Sequence, residues 1–281
     1  MRINRGFESM VVVDFHVHVA RHSMWNPWVH EYIKGVNPGL YENFDETMTP
    51  KNLLGFMDVE GVDFAVVLAE IAPITTGTVD NEFVAEFCSE SERLIPFASI
   101  NPVTDHDPPK TLDKLVDGLG MRGLKLFPPY QHFYPNDKSL HKLYEKAEEL
   151  AVPVNFHTGS SVFKNAKLKY GDPLYLDDVA VDFPDLTIIQ AHGGRGFWYD
   201  VAYFLAKRHR NVYIDISGLP PKNLLKYFPD LEKIADKIVF GSDWPGVPSV
   251  RGNVEAIKKL PLRTETKRRI LGENARRLLR L

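Results

Sequence analysis

Along the chain, short apolar runs alternate with longer stretches in which apolar positions recur every three or four residues. The short runs are "VVVDFHVHV", "FAVVLAE", "LIPFASIN", "GLKLF", "VPVNFHTG", "LTIIQAHGG", "VYIDISG" and "KIVFGSDWP". Rich in β-branched and aromatic residues, they read as buried strands. The longer stretches are "TPKNLLGFMDVEG", "NEFVAEFCSESE", "KTLDKLVDGLG", "SLHKLYEKAEELA", "YLDDVAVDF", "WYDVAYFLAKRH" and "KNLLKYFPDLEKIAD", and they carry helical periodicity. Regular strand–helix alternation predicts a parallel sheet, because parallel neighbours need crossover connections. Eight strands with helices between them suit a closed (β/α)8 TIM barrel, and 281 residues is a typical length for one. An open doubly wound sheet is the alternative, but no glycine-rich dinucleotide fingerprint follows the first strand.

Two segments break the rhythm. After the first strand comes "RHSMWNPWVHEYIKGVNPGLYENFDET", a long first βα loop that contains Trp25, Trp28, Tyr32, Tyr41 and Phe44. It is too apolar for a disordered tether, and long loops inside compact domains are often lids or binding loops. The tail "TETKRRILGENARRLLRL" places Ile270, Leu271, Ala275, Leu278 and Leu279 on one side, as expected of an extra C-terminal helix packed on the barrel wall. No low-complexity linker divides the chain, so a single barrel domain over residues 1–281 is expected.

Composition narrows the setting. Hydrophobic residues make up 44% and charged residues 25%, ordinary for a soluble globular protein, and a formal charge of -3 offers no attraction to nucleic acid or a membrane surface. The one cysteine, Cys88, lies in a helical pattern and reads as a small packing residue. The opening "MRINRGFESM" lacks the apolar stretch of a signal peptide, and no later run is long enough to span a bilayer. The expectation is a cytoplasmic protein acting on a small molecule.

The first strand raises the chemical question. Strict alternation puts Asp14, His16 and His18 on one face of "VVVDFHVHVA". One such histidine would be an ordinary hydrogen-bonded core residue; two with an aspartate suggest a metal site if other strands supply ligands. His157 closes the fifth strand, His192 the sixth and Asp243 the eighth. In a (β/α)8 barrel these ends converge on the mouth where catalysis occurs. Four histidines and an aspartate at matching strand ends are hard to attribute to packing.

The motifs "DFHVH", "GLKLFPPYQ", "FHTG", "AHGG", "GSDWP" and "ILGENARRLL", taken in order, resemble the amidohydrolase superfamily nearly end to end. The similarity is to the branch that includes aminocarboxymuconate-semialdehyde decarboxylase and related metal-dependent hydrolases. That resemblance implies one divalent ion, most often zinc, held by His16, His18, His157 and Asp243, with His192 beside a bound water. It also implies a homodimer. Both His192 and Asp243 stand as candidates for the catalytic base.

Other residues admit a functional and a plain reading. Lys125, in the fourth strand, is either a buried cation near acidic groups or substrate, or a carboxylated bridge between two metals as in some superfamily members. Arg195, and less strongly Arg21, are placed to grip a substrate carboxylate. Trp25, in the aromatic first loop, and Trp244, beside Asp243, are candidate pocket walls, although packing explains Trp244 equally well. Asp215 and Glu70 also end strands and either touch the mouth or pair with Lys125. His22 and His30 belong to the first loop, while His106, His132, His141 and His209 read as surface residues. The leading functional expectation is hydrolysis of a small ester, lactone or amide bearing a carboxylate. Non-oxidative decarboxylation of an unsaturated or aromatic acid is the alternative, and a non-catalytic barrel is disfavoured because no ligand position is missing.

Overall fold

The computed structural model describes residues 10–281; the opening segment on which the signal-peptide reading rested lies largely outside them. The strands are β1 (Val13–His18), β2 (Phe64–Leu68), β3 (Glu70–Ala72), β4 (Gly77–Val79), β5 (Leu94–Ser99), β6 (Leu124–Leu126), β7 (Val154–Gly159), β8 (Ile188–Arg195), β9 (Val212–Asp215) and β10 (Ile238–Val239). Eight of them form one parallel sheet in the order β1-β2-β5-β6-β7-β8-β9-β10. Backbone bonds bring the two edges together: Phe15 N to Phe240 O at 2.9 Å, Asp243 N to His16 O at 3.0 Å and His18 N to Trp244 O at 2.8 Å. The last two join the histidine-bearing end of the first strand directly to the segment of Asp243 and Trp244 after the last. The expected TIM barrel is the observed fold.

Helices cover the outside, and their starts follow local chemistry. Thr49, Asp80, Asp107 and Ser249 each cap a helix by accepting a backbone N–H, and proline opens the helices at Pro50 and Pro108. Val13, Phe15, Val66, Leu68, Ile95, Phe97, Ile189 and Val239 form one apolar cluster with Ala275 and Leu279 of the C-terminal helix. Strands from separate parts of the ring contribute to it, so it fills the barrel interior below the polar mouth. Phe15 and Phe97 meet there edge to face, 5.5 Å between centroids.

Three elements depart from expectation. β1 carries one extra residue between Asp14 and Val17 relative to β2. Asp14 therefore pairs with Ala65 and His18 with Leu68, three residues apart on β2, so Asp14 faces away from His18. The helix expected over 222–236 is broken into Leu224–Tyr227 and a 3-10 stretch, Leu231–Lys237. Pro229, which lacks an N–H and fixes its own φ, lies between them. β3 and β4 form an antiparallel hairpin after β2 that strand counting did not foresee. No helix among the described residues is long and apolar enough to cross a membrane.

A candidate metal centre at the barrel mouth

A cavity of about 250 Å3 opens at the carboxyl ends of the barrel strands. His16, His18, His157, His192, Asp243, Arg195 and Trp25 all line it, as do Glu70, Tyr32, Tyr130 and Phe163. Ligand atoms of His16, His18 and Asp243 lie within 4.8 Å of one another. His16 Nε2 is 3.6 Å and His18 Nε2 3.5 Å from Asp243 Oδ1. The spacing suits an ion placed between them, since direct hydrogen bonds would be shorter.

Hydrogen bonds assign the tautomers. His16 Nδ1 is 2.6 Å from Asp215 Oδ2, a carboxylate that can only accept, so Nδ1 carries the proton and Nε2 presents a lone pair to the site. His192 Nδ1 is 3.0 Å from the Ser217 carbonyl, also an obligate acceptor, which leaves its Nε2 as the basic atom. One buried unit supports both rings. Ser217 Oγ lies 2.9 Å from His16 Nδ1, 3.1 Å from His192 Nδ1 and 3.0 Å from Asp215 Oδ2. Nothing in "DISG" as a sequence announced this role for Ser217; its position two residues beyond a strand-end aspartate was the available signal.

Electrostatics favour the ligating forms. Burial, with the nearby Lys125 charge adding to it, pushes His16 down to about 4. Burial likewise holds His157 and His192 well below the usual imidazole range, helped by Lys125 and Arg195 at His157 and by Arg195 at His192. These rings are therefore neutral at pH 7, as a metal ligand or a base must be. Desolvation opposes ionisation of Asp243, but His192, His18 and His16 around it outweigh that effect and keep the carboxyl well below its usual range. His157 Nε2 is buried without a hydrogen-bond partner among the described residues. An orphaned imidazole nitrogen in a cavity of imidazoles and carboxylate fits a cation site, and the donor set fits a borderline ion such as zinc.

The backbone is bent to present these groups. His192 and Asp243 adopt left-handed φ values of 64° and 71°, rare outside glycine and concentrated at functional sites. Asp243 Oδ2 lies 3.7 Å from Arg195 Nη1, and Arg195 Nη2 is fixed by the Ser160 carbonyl at 3.2 Å. Gly218 makes that approach possible: a Cβ there would come within 2.7 Å of Asp243 Oδ2 and 2.6 Å of Arg195 Nη1.

Lys125 and Trp244, both expected at the substrate, do not line the cavity, although Lys125 lies close enough to act on it as a buried cation near acidic groups. Lys125 is fully buried in β6 with Nζ 3.3 Å from Asn155 Oδ1, and it is absent from the cavity wall. Burial, opposed by Asp215, Asp243 and Glu70, pushes its amine down to about 8. Trp244 packs its ring on Phe56, 5.0 Å between centroids, and it too is absent from the wall. Arg21 lies over the Phe83 ring, and His30 is held by Tyr41 and the His22 carbonyl.

Comparison with known proteins places the fold. The chain is similar in structure to an uncharacterised TIM-barrel protein from Bordetella bronchiseptica, at 22% identity and a TM-score of 0.78, covering 96% of this chain and 98% of that one. It is also similar to a probable 2-pyrone-4,6-dicarboxylic acid hydrolase from Acinetobacter baumannii, solved with citric acid bound (17% identity, TM-score 0.70, 97% and 100% covered). A third similar structure is 5-carboxyvanillate decarboxylase from Novosphingobium aromaticivorans, complexed with manganese and 4-hydroxy-3-methoxy-5-nitrobenzoic acid (15% identity, TM-score 0.68, 97% and 96% covered). No curated protein matches the chain by sequence. The amidohydrolase family model matches residues 13–281, which includes every residue of the centre, and the chain belongs to the amidohydrolase family.

Proposed function

We propose that the protein is a metal-dependent hydrolase of a small ester, lactone or amide that carries a carboxylate. The observation that carries this reading is the division of Asp243. Its Oδ1 faces His16 and His18, while its Oδ2 faces His192 Nδ1 at 3.9 Å and Arg195 Nη1 at 3.7 Å. One carboxylate thus joins the ligand set to the base and the anion-binding group. His16, His18, His157 and Asp243 would hold one divalent ion, zinc first and manganese second. The ion would supply Lewis acidity, polarising a carbonyl and lowering the pKa of water from 15.7 to roughly 7.

The chain's own residues do the rest. His192 Nε2 accepts the proton of the attacking water and returns it to the leaving group. Arg195, pinned by Ser160, binds the substrate carboxylate and fixes the scissile bond over the centre. Trp25, Tyr130 and Phe163 wall the cavity and restrict solvent.

Non-oxidative decarboxylation is a second reading, favoured by that aromatic wall beside the Arg195 guanidinium, which also suits a planar aromatic acid. Turnover in ¹⁸O-labelled water separates the two. Metal-loaded protein is given candidate lactones, esters, amides and unsaturated or aromatic acids. Hydrolysis places the label in a new carboxylate. Release of carbon dioxide with no label in the organic product overturns the hydrolase reading and leaves the metal centre in place.

A further inference from the structure

His16 and His18 are not supported alike. The partner of His16, Asp215, is sealed in the barrel and tied to Ser217. His18 turns Nε2 toward Asp243, and its Nδ1 faces Glu70 Oε2 at 3.9 Å. Glu70 opens the β3–β4 hairpin, and its other oxygen accepts the Thr76 hydroxyl from the hairpin's turn.

The hairpin in turn is a joint between three segments that wall the cavity. Toward the first loop, the Thr76 carbonyl accepts Asn26 N at 2.9 Å and the Thr75 carbonyl accepts Trp28 Nε1 at 2.6 Å. Gly77 is pressed against that loop so closely that a Cβ would sit 2.1 Å from the Met24 carbonyl oxygen, at a φ of 132°. Toward the turn after β6, Thr75 Oγ1 donates to the Tyr130 carbonyl at 3.0 Å. Toward the loop after β7, Asn165 Nδ2 donates to the Ile74 carbonyl at 2.7 Å. Trp25, Tyr130 and Phe163, one from each segment, are part of the aromatic wall.

We infer that Glu70 is a positioning residue that couples the candidate ligand His18 to this wall, so that metal binding and ordering of the wall reinforce one another. The inference rests on the metal-centre reading above. At 3.9 Å from Nδ1 the Glu70 carboxylate is beyond direct hydrogen-bond reach and acts on the imidazole as a nearby charge that favours its Nδ1–H tautomer; loss of a carboxylate partner at a ligand imidazole typically weakens metal affinity 10–100-fold. Linkage is reciprocal: if the ordered hairpin strengthens the site through Glu70, an ion at the site must order the hairpin and the loops fastened to it.

The test uses the full chain with zinc or manganese ions alone as the probe, so it needs no substrate. Metal affinity is titrated for the wild type, Glu70→Gln and Thr76→Val. Amide hydrogen exchange is followed with and without metal over residues 22–36 and 70–79. In the wild type, metal slows exchange in both segments. Glu70→Gln is expected to weaken affinity about 10-fold or more and to abolish the metal-dependent slowing; Thr76→Val shifts both in the same direction. Thr76→Val also serves if Glu70→Gln does not fold, as judged by the melting curve of the metal-free protein. Wild-type affinity in the variants overturns the inference, and so does weakened affinity with the slowing intact. A wild type that binds neither ion brings down the proposed function and this inference with it.

Discussion

At the scale of single residues, the site divides into groups that hold and groups that act. His16 and Asp243 belong to the proposed ligand set, so His16→Ala should lose metal and activity together. His192 faces the cavity through Nε2 with its Nδ1 proton tied to Ser217, so His192→Ala should keep most of the metal. Its turnover should fall by about 10²–10⁴-fold, the usual loss for a general base. Metal content by elemental analysis beside turnover decides; equal metal loss in both variants sinks the assignment of His192 as base. Arg195→Ala should mainly raise KM for acidic substrates under the hydrolase reading, because it removes binding common to ground and transition states. A collapse of kcat with KM unchanged would instead put Arg195 in the chemical step. Cys88 is a control of a different kind: buried, with burial pushing its thiol up, it should resist alkylation in the native protein and react on unfolding. Rapid labelling under native conditions would contradict that placement.

At the scale of elements, the mouth depends on contacts that join distant parts of the chain. The bulge in β1 turns His18 toward the cavity while leaving Asp14 to accept Ser242 N at 2.8 Å, which fastens the first strand to the last just below Asp243. At the opposite end, Asn274 in the C-terminal helix is fully buried and donates to the Ala235 and Ile238 carbonyls, both at 2.7 Å. It ties the helix to the segment entering β10. Asn274→Ala leaves those acceptors without their donor and should cost roughly 1–3 kcal/mol. Urea denaturation of the variant should show a lower midpoint with an unchanged slope. A midpoint within error of the wild type would mean that water or a rearranged backbone satisfies the carbonyls.

At the scale of the whole molecule, the ion is expected to stabilise the barrel as well as equip it. One site predicts about one tightly bound divalent ion per chain, and two would bring Lys125 back as a bridging ligand despite its burial against Asn155. Because the ion binds the folded chain, free metal at about a hundredfold its Kd should add about 2.7 kcal/mol, and a chelator should lower the melting temperature accordingly. An unchanged melting temperature on chelation would argue against a site spanning β1, β7 and the end of the last strand. The sequence by itself determined the barrel, because period-2 and period-3.6 hydrophobic patterns are local and repeat once per βα unit. It also determined which titratable residues gather at the mouth, because strand-end positions are countable along the chain and each of His16, His18, His157, His192 and Asp243 lines the cavity. Only the tertiary structure decided which neighbours share a wall. Trp244 and Lys125 sit beside or within site-bearing strands, yet one packs outward on Phe56 and the other lies sealed in the interior, since facing depends on twist and register across the ring. The same holds for the bulge at Asp14 and the hairpin that carries Glu70 to His18. Each is set by a partner far away in sequence, and local periodicity carries no record of such partners.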